Sequence, residues 1–77
     1  MEDRTILTRV DELVAEEHTL RQHTSLTDEQ RARLADIEAD LDQCWDLLRQ
    51  RRARREFGTD PDAAQVRPQS EVEGYLQ

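Results

Sequence analysis

The sequence predicts an all-α protein, an antiparallel two-helix hairpin with a longer second helix and an extended C-terminal tail. Three observations lead there. Two apolar seams step by alternating threes and fours, a polar turn between them runs into a capping box, and a glycine stops the second seam.

The first seam is Ile6, Val10, Leu13, Glu17 and Leu20, and it predicts a helix over about 4–22. Asp3 or Thr5 can cap its start. Leu7 and Val14 each follow a seam residue, so the apolar stripe is wider than one neighbouring helix requires. Glu17 is the polar exception on the seam: either it pairs across the hairpin with a basic residue such as Arg33, or the seam is frayed and wet there near the turn.

Gln22 to Leu26 lose the period and read as a turn. In Thr27-Asp28-Glu29-Gln30 the Thr27 hydroxyl can accept the Gln30 N–H while the Gln30 side chain reaches back, so a second helix is expected over about 28–57. Its seam is Leu34, Ile37, Leu41, Cys44 and Leu48, flanked by Trp45 and Leu47. A ring as large as Trp45 is costly to leave in water, which makes it the expected anchor of the hairpin core or of a subunit interface. Gly58 is the expected C′ residue. Counted outward from the turn, the second helix overhangs the first from about Leu48 onward.

Residues 1–58 thus form the hairpin and 59–77 the tail. Asp60-Pro61 is a cap followed by a first-turn proline, consistent with a short helix at 61–66. Ser70-Glu71-Val72-Glu73 repeats the capping-box spacing, and Val72, Tyr75 and Leu76 could line one side of a last short helix.

Net charge is −7 but segregated: residues 1–48 sum to −8, 49–57 to +4 and 58–77 to −3. All eleven basic residues are arginine, which we read as codon bias of a GC-rich genome. Arg49, Arg51, Arg52, Arg54 and Arg55 form the basic block. Arginine forks fit phosphate, so nucleic acid or a ribosome is one candidate partner. The acidic balance and the lack of interleaved aromatics favour the protein's own acids in Asp60, Asp62, Glu71 and Glu73. Residues 59–77 are therefore expected to pack on the arginine-bearing end of the second helix, in cis or on a neighbouring subunit.

No catalytic constellation emerges. The positions three before His18 and His23 are Ala15 and Leu20, so the Glu-x-x-His pair of carboxylate-bridged metal bundles is missing. Cys44 lies on the apolar seam, where desolvation keeps a thiol protonated. No glycine-rich phosphate loop is present. We expect no catalytic, cofactor-binding or metal-binding residues, and no cofactor. A single cysteine, a start without a basic-then-apolar leader and the lack of a long apolar run point to a cytoplasmic protein.

At 77 residues, with 35% hydrophobic, the core is small, and a core of this size rarely supplies more than about 3–5 kcal/mol of net stability. The expected partner is therefore a second copy, most simply a dimer pairing into a four-helix bundle, or another protein. The expected function is a small non-catalytic interaction or assembly module. Its contact residues are expected among Trp45, Leu48, the five arginines, Tyr75 and Leu76.

The run Leu41-Asp42-Gln43-Cys44-Trp45-Asp46-Leu47-Leu48-Arg49-Gln50-Arg51-Arg52-Ala53-Arg54-Arg55 closely resembles the domain-of-unknown-function 2630 family, as do Asp60-Pro61-Asp62, Val66-Arg67-Pro68 and the terminal Glu73-Gly74-Tyr75-Leu76-Gln77. The family consists of short actinobacterial proteins, and the resemblance covers nearly the whole chain. It implies a bacterial cytoplasmic setting and carries no activity or catalytic residue with it.

Overall fold

A computed structural model describes residues 2–68. Two helices, α1 (Asp3–Arg21) and α2 (Asp28–Glu56), pack side by side as an antiparallel hairpin, and a short 3-10 turn (Pro61–Ala63) leads into an extended strap over 64–68. The tail residues after Pro68, including Val72, Tyr75, Leu76 and the Ser70 capping box, lie outside the described residues.

The helix ends follow local chemistry. The capping box at Thr27 is formed in both directions: the Gln30 N–H donates to Thr27 Oγ1 at 3.1 Å, and the Thr27 N–H donates to Gln30 Oε1 at 2.8 Å. At the other end of α2, Phe57 is the cap and Gly58 adopts φ 72°. The Thr59 N–H donates to the Arg54 carbonyl at 2.8 Å and the Gly58 N–H to the Arg55 carbonyl at 3.2 Å, the paired bonds of a Schellman motif. The start of α1 departs from expectation. Glu2 occupies the cap position without a side-chain bond, and neither Asp3 nor Thr5 caps the helix. Asp3 is instead drawn into ion pairs with the arginines at the far end of α2.

The core is the seam itself. Val10, Leu13, Ile37 and Leu41 are buried in one cluster, with Leu20 and Cys44 packed against it, and Ile6 and Leu47 continue the buried row. Two details differ from the sequence reading. Beyond Cys44 the row runs through Leu47 and Arg51, leaving Leu48 half-buried, because the burial rotates by one position along the last turns of α2. Through the Asp3 pairs α1 reaches Arg51, so the overhang of α2 begins about one turn later than Leu48.

Candidate interaction surface

The ion pairs that bridge the two helices identify the hairpin's two flanks. On one flank Arg9 lies 3.4 Å from Asp40, and Arg33 forks onto Glu16, with Nη2 to Oε1 at 2.8 Å. Glu16 therefore holds Arg33, so of the two readings the Glu17–Arg33 pair is not made; Glu17 turns to Arg21 at 3.7 Å. Glu16 is the neighbour whose side chain leaves α1 on the Arg33 side, whereas Glu17 points toward the other flank. The Arg33 bonds hold the Glu16 carboxyl below its usual range.

The strap belongs to this first side and to the back of α2. Gln43, Asp46 and Gln50 form an i, i+3, i+7 row there. Gln50 Nε2 donates to the Gln65 carbonyl at 2.7 Å, its Oε1 accepts the Gln65 N–H at 3.4 Å, and Gln43 Nε2 donates to the Arg67 carbonyl at 3.2 Å. Arg67 clamps Asp46 through both arms of its guanidinium, with Nε to Oδ2 at 2.9 Å. Gln50 Nε2 adds a third bond to Asp46 at 2.9 Å. Asp46 is completely buried although it points away from the seam, and the Arg67 bonds keep its carboxyl lowered against the opposing effect of burial. A groove of about 390 Å³ between the helices, lined by Ile6, Cys44 and Leu47, is closed on one side by Val66. Burial pushes the Cys44 thiol up.

At the open end of the hairpin the basic block is engaged with the chain's own acids. Arg51, itself buried, donates to Asp3 and to Asp62, the latter at 2.8 Å, and Arg55 reaches Asp3 at 2.8 Å. Bonds from Arg55 and Arg51 hold the Asp3 carboxyl at about 2, and the Arg51 bond lowers Asp62. Arg52 pairs with Glu56 at 3.2 Å and Arg49 lies 3.9 Å from Asp46. Arg54 makes no ion pair among the described residues. The tail meets this end of α2 through Asp62 on Arg51, while Gln65 and Arg67 dock farther back on Gln43, Asp46 and Gln50, and the short helix expected at 61–66 stops at Ala63. It stops where Ala64 turns to extended backbone and the strap's hydrogen-bonding groups pass to Gln50 and Gln43.

The second flank is open. Arg21 and Glu38 meet across it at 2.6 Å. Counting by sevens, which returns to the same side of a helix within about 20°, Arg21 shares its row with Val14 and Leu7, and Glu38 shares its row with Trp45 and Arg52. Leu7, Val14 and Trp45 are 46%, 45% and 44% exposed. Trp45 is thus not an anchor of the hairpin core, because its position a quarter-turn from Cys44 carries the ring past α1 and onto this flank. Leu7, Val14 and Trp45 therefore lie together on the side the strap leaves uncovered, while Phe57 at the α2 cap and Val66 of the strap, 83% and 57% exposed, lie outside that row.

Sequence reasoning missed the Asp46–Arg67 clamp. Its signal was the row Gln43, Asp46, Gln50 set off the apolar seam, and Arg67 as the lone base of an acidic tail. Among the described residues no group of three or more His, Cys, Asp or Glu side chains is placed to hold a metal ion, and no helix is long and apolar enough to cross a membrane.

The model of the protein of unknown function family DUF2630 matches residues 2–77. The chain belongs to that family. Uncharacterized proteins of Mycobacterium bovis and of Mycobacterium tuberculosis are each 51% identical to it over 77 residues, covering 95% of this chain and 88% of theirs. No solved structure gives a significant match. The actinobacterial resemblance drawn from the arginine block and the tail motifs is therefore correct, and this DUF2630 chain takes no activity from its relatives' names.

Proposed function

We propose that this DUF2630 chain is a non-catalytic, cytoplasmic helical module that works by binding protein through the open flank of its hairpin. The observation that carries the reading is the alignment of Leu7, Val14 and Trp45, each close to half exposed, along one side of a hairpin whose other side is strapped by its own tail. Apolar side chains gathered in this way mark interaction surfaces more often than scattered ones do. The groove beside Cys44 offers no base to activate the thiol: its charged groups, Arg9 and Asp40, are paired with each other. The phosphate-binding alternative is less well supported, since Arg51 and Arg55 are already committed to Asp3 and Asp62.

Photo-crosslinking inside cells tests the proposal. A benzophenone side chain at Leu7, Val14 or Trp45 should give discrete protein adducts, while one at Ser25 in the turn or at Ala63 near the strap should not. Equal labelling from both sets of positions would remove the special status of the flank.

A further inference from the structure

Resting on that reading, we infer that the occupant of the open flank is a second copy of this chain, running antiparallel, with the two-fold axis passing close to Trp45. The argument is one of charge and spacing. On α2 the flank row reads Glu38, Trp45, Arg52, so the aromatic ring sits midway between an acid and a base, each about 10.5 Å away along a helix rising 1.5 Å per residue. A two-fold rotation about Trp45 lays the Arg52 of one copy over the Glu38 of the other, twice. The row is thus complementary to itself in this orientation. With the axis instead parallel to the helices, α1 would face α2 and neither charge would meet its opposite from the same row.

The α1 row adds apolar side chains to the same face. Leu7 and Val14 are placed symmetrically about Val10 and Asp11, and Val10 packs in the core cluster with Leu41 and Cys44, within a turn of Trp45. The rotation therefore lays the apolar row of one α1 antiparallel to that of the other. Half-buried Leu48 lies beside Trp45 on α2 and extends the apolar centre. The intramolecular commitments of the two charges do not compete seriously. The Arg21–Glu38 and Arg52–Glu56 pairs are solvent-exposed, with more than half of each side chain open to water, and such pairs are weak and easily shared. An isologous patch of this kind closes as a dimer, giving a four-helix bundle with the straps on its outer faces.

The full chain decides the question. Sedimentation velocity of the purified protein at about 10–100 μM should show a dimer that persists in about 0.5 M salt, because the centre of the patch is apolar. Glu38→Arg and Arg52→Glu should each weaken the dimer by roughly three- to tenfold, and the combined variant should recover most of the loss. In a Cys44→Ser background, Trp45→Cys should form an intermolecular disulfide under mild oxidation, and His23→Cys at the turn should not, since the antiparallel arrangement sends the two turns to opposite ends. A folded monomer across that concentration range overturns the second copy as occupant while leaving the flank as a surface for another protein. Crosslinking through His23→Cys in place of Trp45→Cys, or charge reversal without recovery in the double variant, overturns the antiparallel axis.

Discussion

Asp46 is the residue on which the strap turns. It owes its burial to residues 64–68 and its charge to Arg67, so the two side chains hold each other in place. Replacing Asp46 with Ala should lower unfolding stability by about 1.5–3 kcal/mol, the range for hydrogen bonds to charged groups, because the strap loses its anchor on α2. Urea unfolding measures this loss, and amide exchange should show the Gln65 and Arg67 region losing protection while the seam keeps it. Unchanged exchange at the strap would disprove the clamp. The acidic side of the stability curve follows from the same kind of pair. Asp3, Glu16, Asp46 and Asp62 all have folded-state values below the ordinary carboxylate range, Asp3 at about 2. Between the folded and unfolded values the unfolded chain binds more protons, so stability rises with pH there. These pairs contribute fully above about pH 5 and are lost as pH falls through about 4 toward 2. The urea midpoint should fall over that window, and Asp3→Asn should flatten the fall. The arginines add no opposing change because they keep their charge throughout.

At the level of elements, the helix ends were the most legible part of the sequence. Thr27-x-x-Gln30 specifies its own geometry through four local atoms, and Gly58 is required because the Schellman turn needs a positive φ. Nothing lies within 4 Å of a Cβ built on Gly58, so Gly58→Ala should cost only the backbone strain, about 1 kcal/mol. Thr27→Ala should cost a similar amount by removing the box. Thermal unfolding of the two variants checks both, and a Gly58→Ala chain as stable as the parent would show that the turn tolerates relaxation. Where the sequence was less legible, the reason is rotational. A seam position is defined only to within about a quarter-turn, which is why Leu47 rather than Leu48 faces α1, why Glu16 rather than Glu17 meets Arg33, and why Trp45 clears the core. The start of α1 was misread for another reason: a charge pair with a helix end 48 residues away outweighed a local cap.

Across the whole molecule, buried and exposed apolar side chains are sorted to different sides of the same helices. Leu13 and Ile37 are fully buried between them, whereas Leu7 and Trp45 are nearly half open. Leu13→Ala should therefore cost about 2–5 kcal/mol, the range for core leucines. Leu7→Ala should cost the isolated chain less than about 1 kcal/mol. Chemical denaturation at concentrations below any association separates the two, and equal losses would place Leu7 in the core. The candidate surface was partly visible in the sequence, since Leu7 and Val14 widened the stripe of α1 beyond one neighbour's needs. Its location opposite the strap was not, because nothing in the spacing of residues 60–68 says which side of α2 an extended segment will follow.

The order of contacts along the hairpin has a kinetic consequence. Leu20 is close in sequence to the capped start of α2, Leu13 meets Ile37 further out, and Asp3 meets Arg51 last, so each layer of packing closes a longer loop than the one before it. Formation of the turn at Thr27 shortens every later search, and the chain can zip outward from it with no long-range step until Asp3 arrives. Fast folding, on the microsecond-to-millisecond scale of small helical proteins, is the natural result. The strap, whose clamp joins Arg67 to Asp46 on the finished helix, closes over a surface that exists only once α2 is formed.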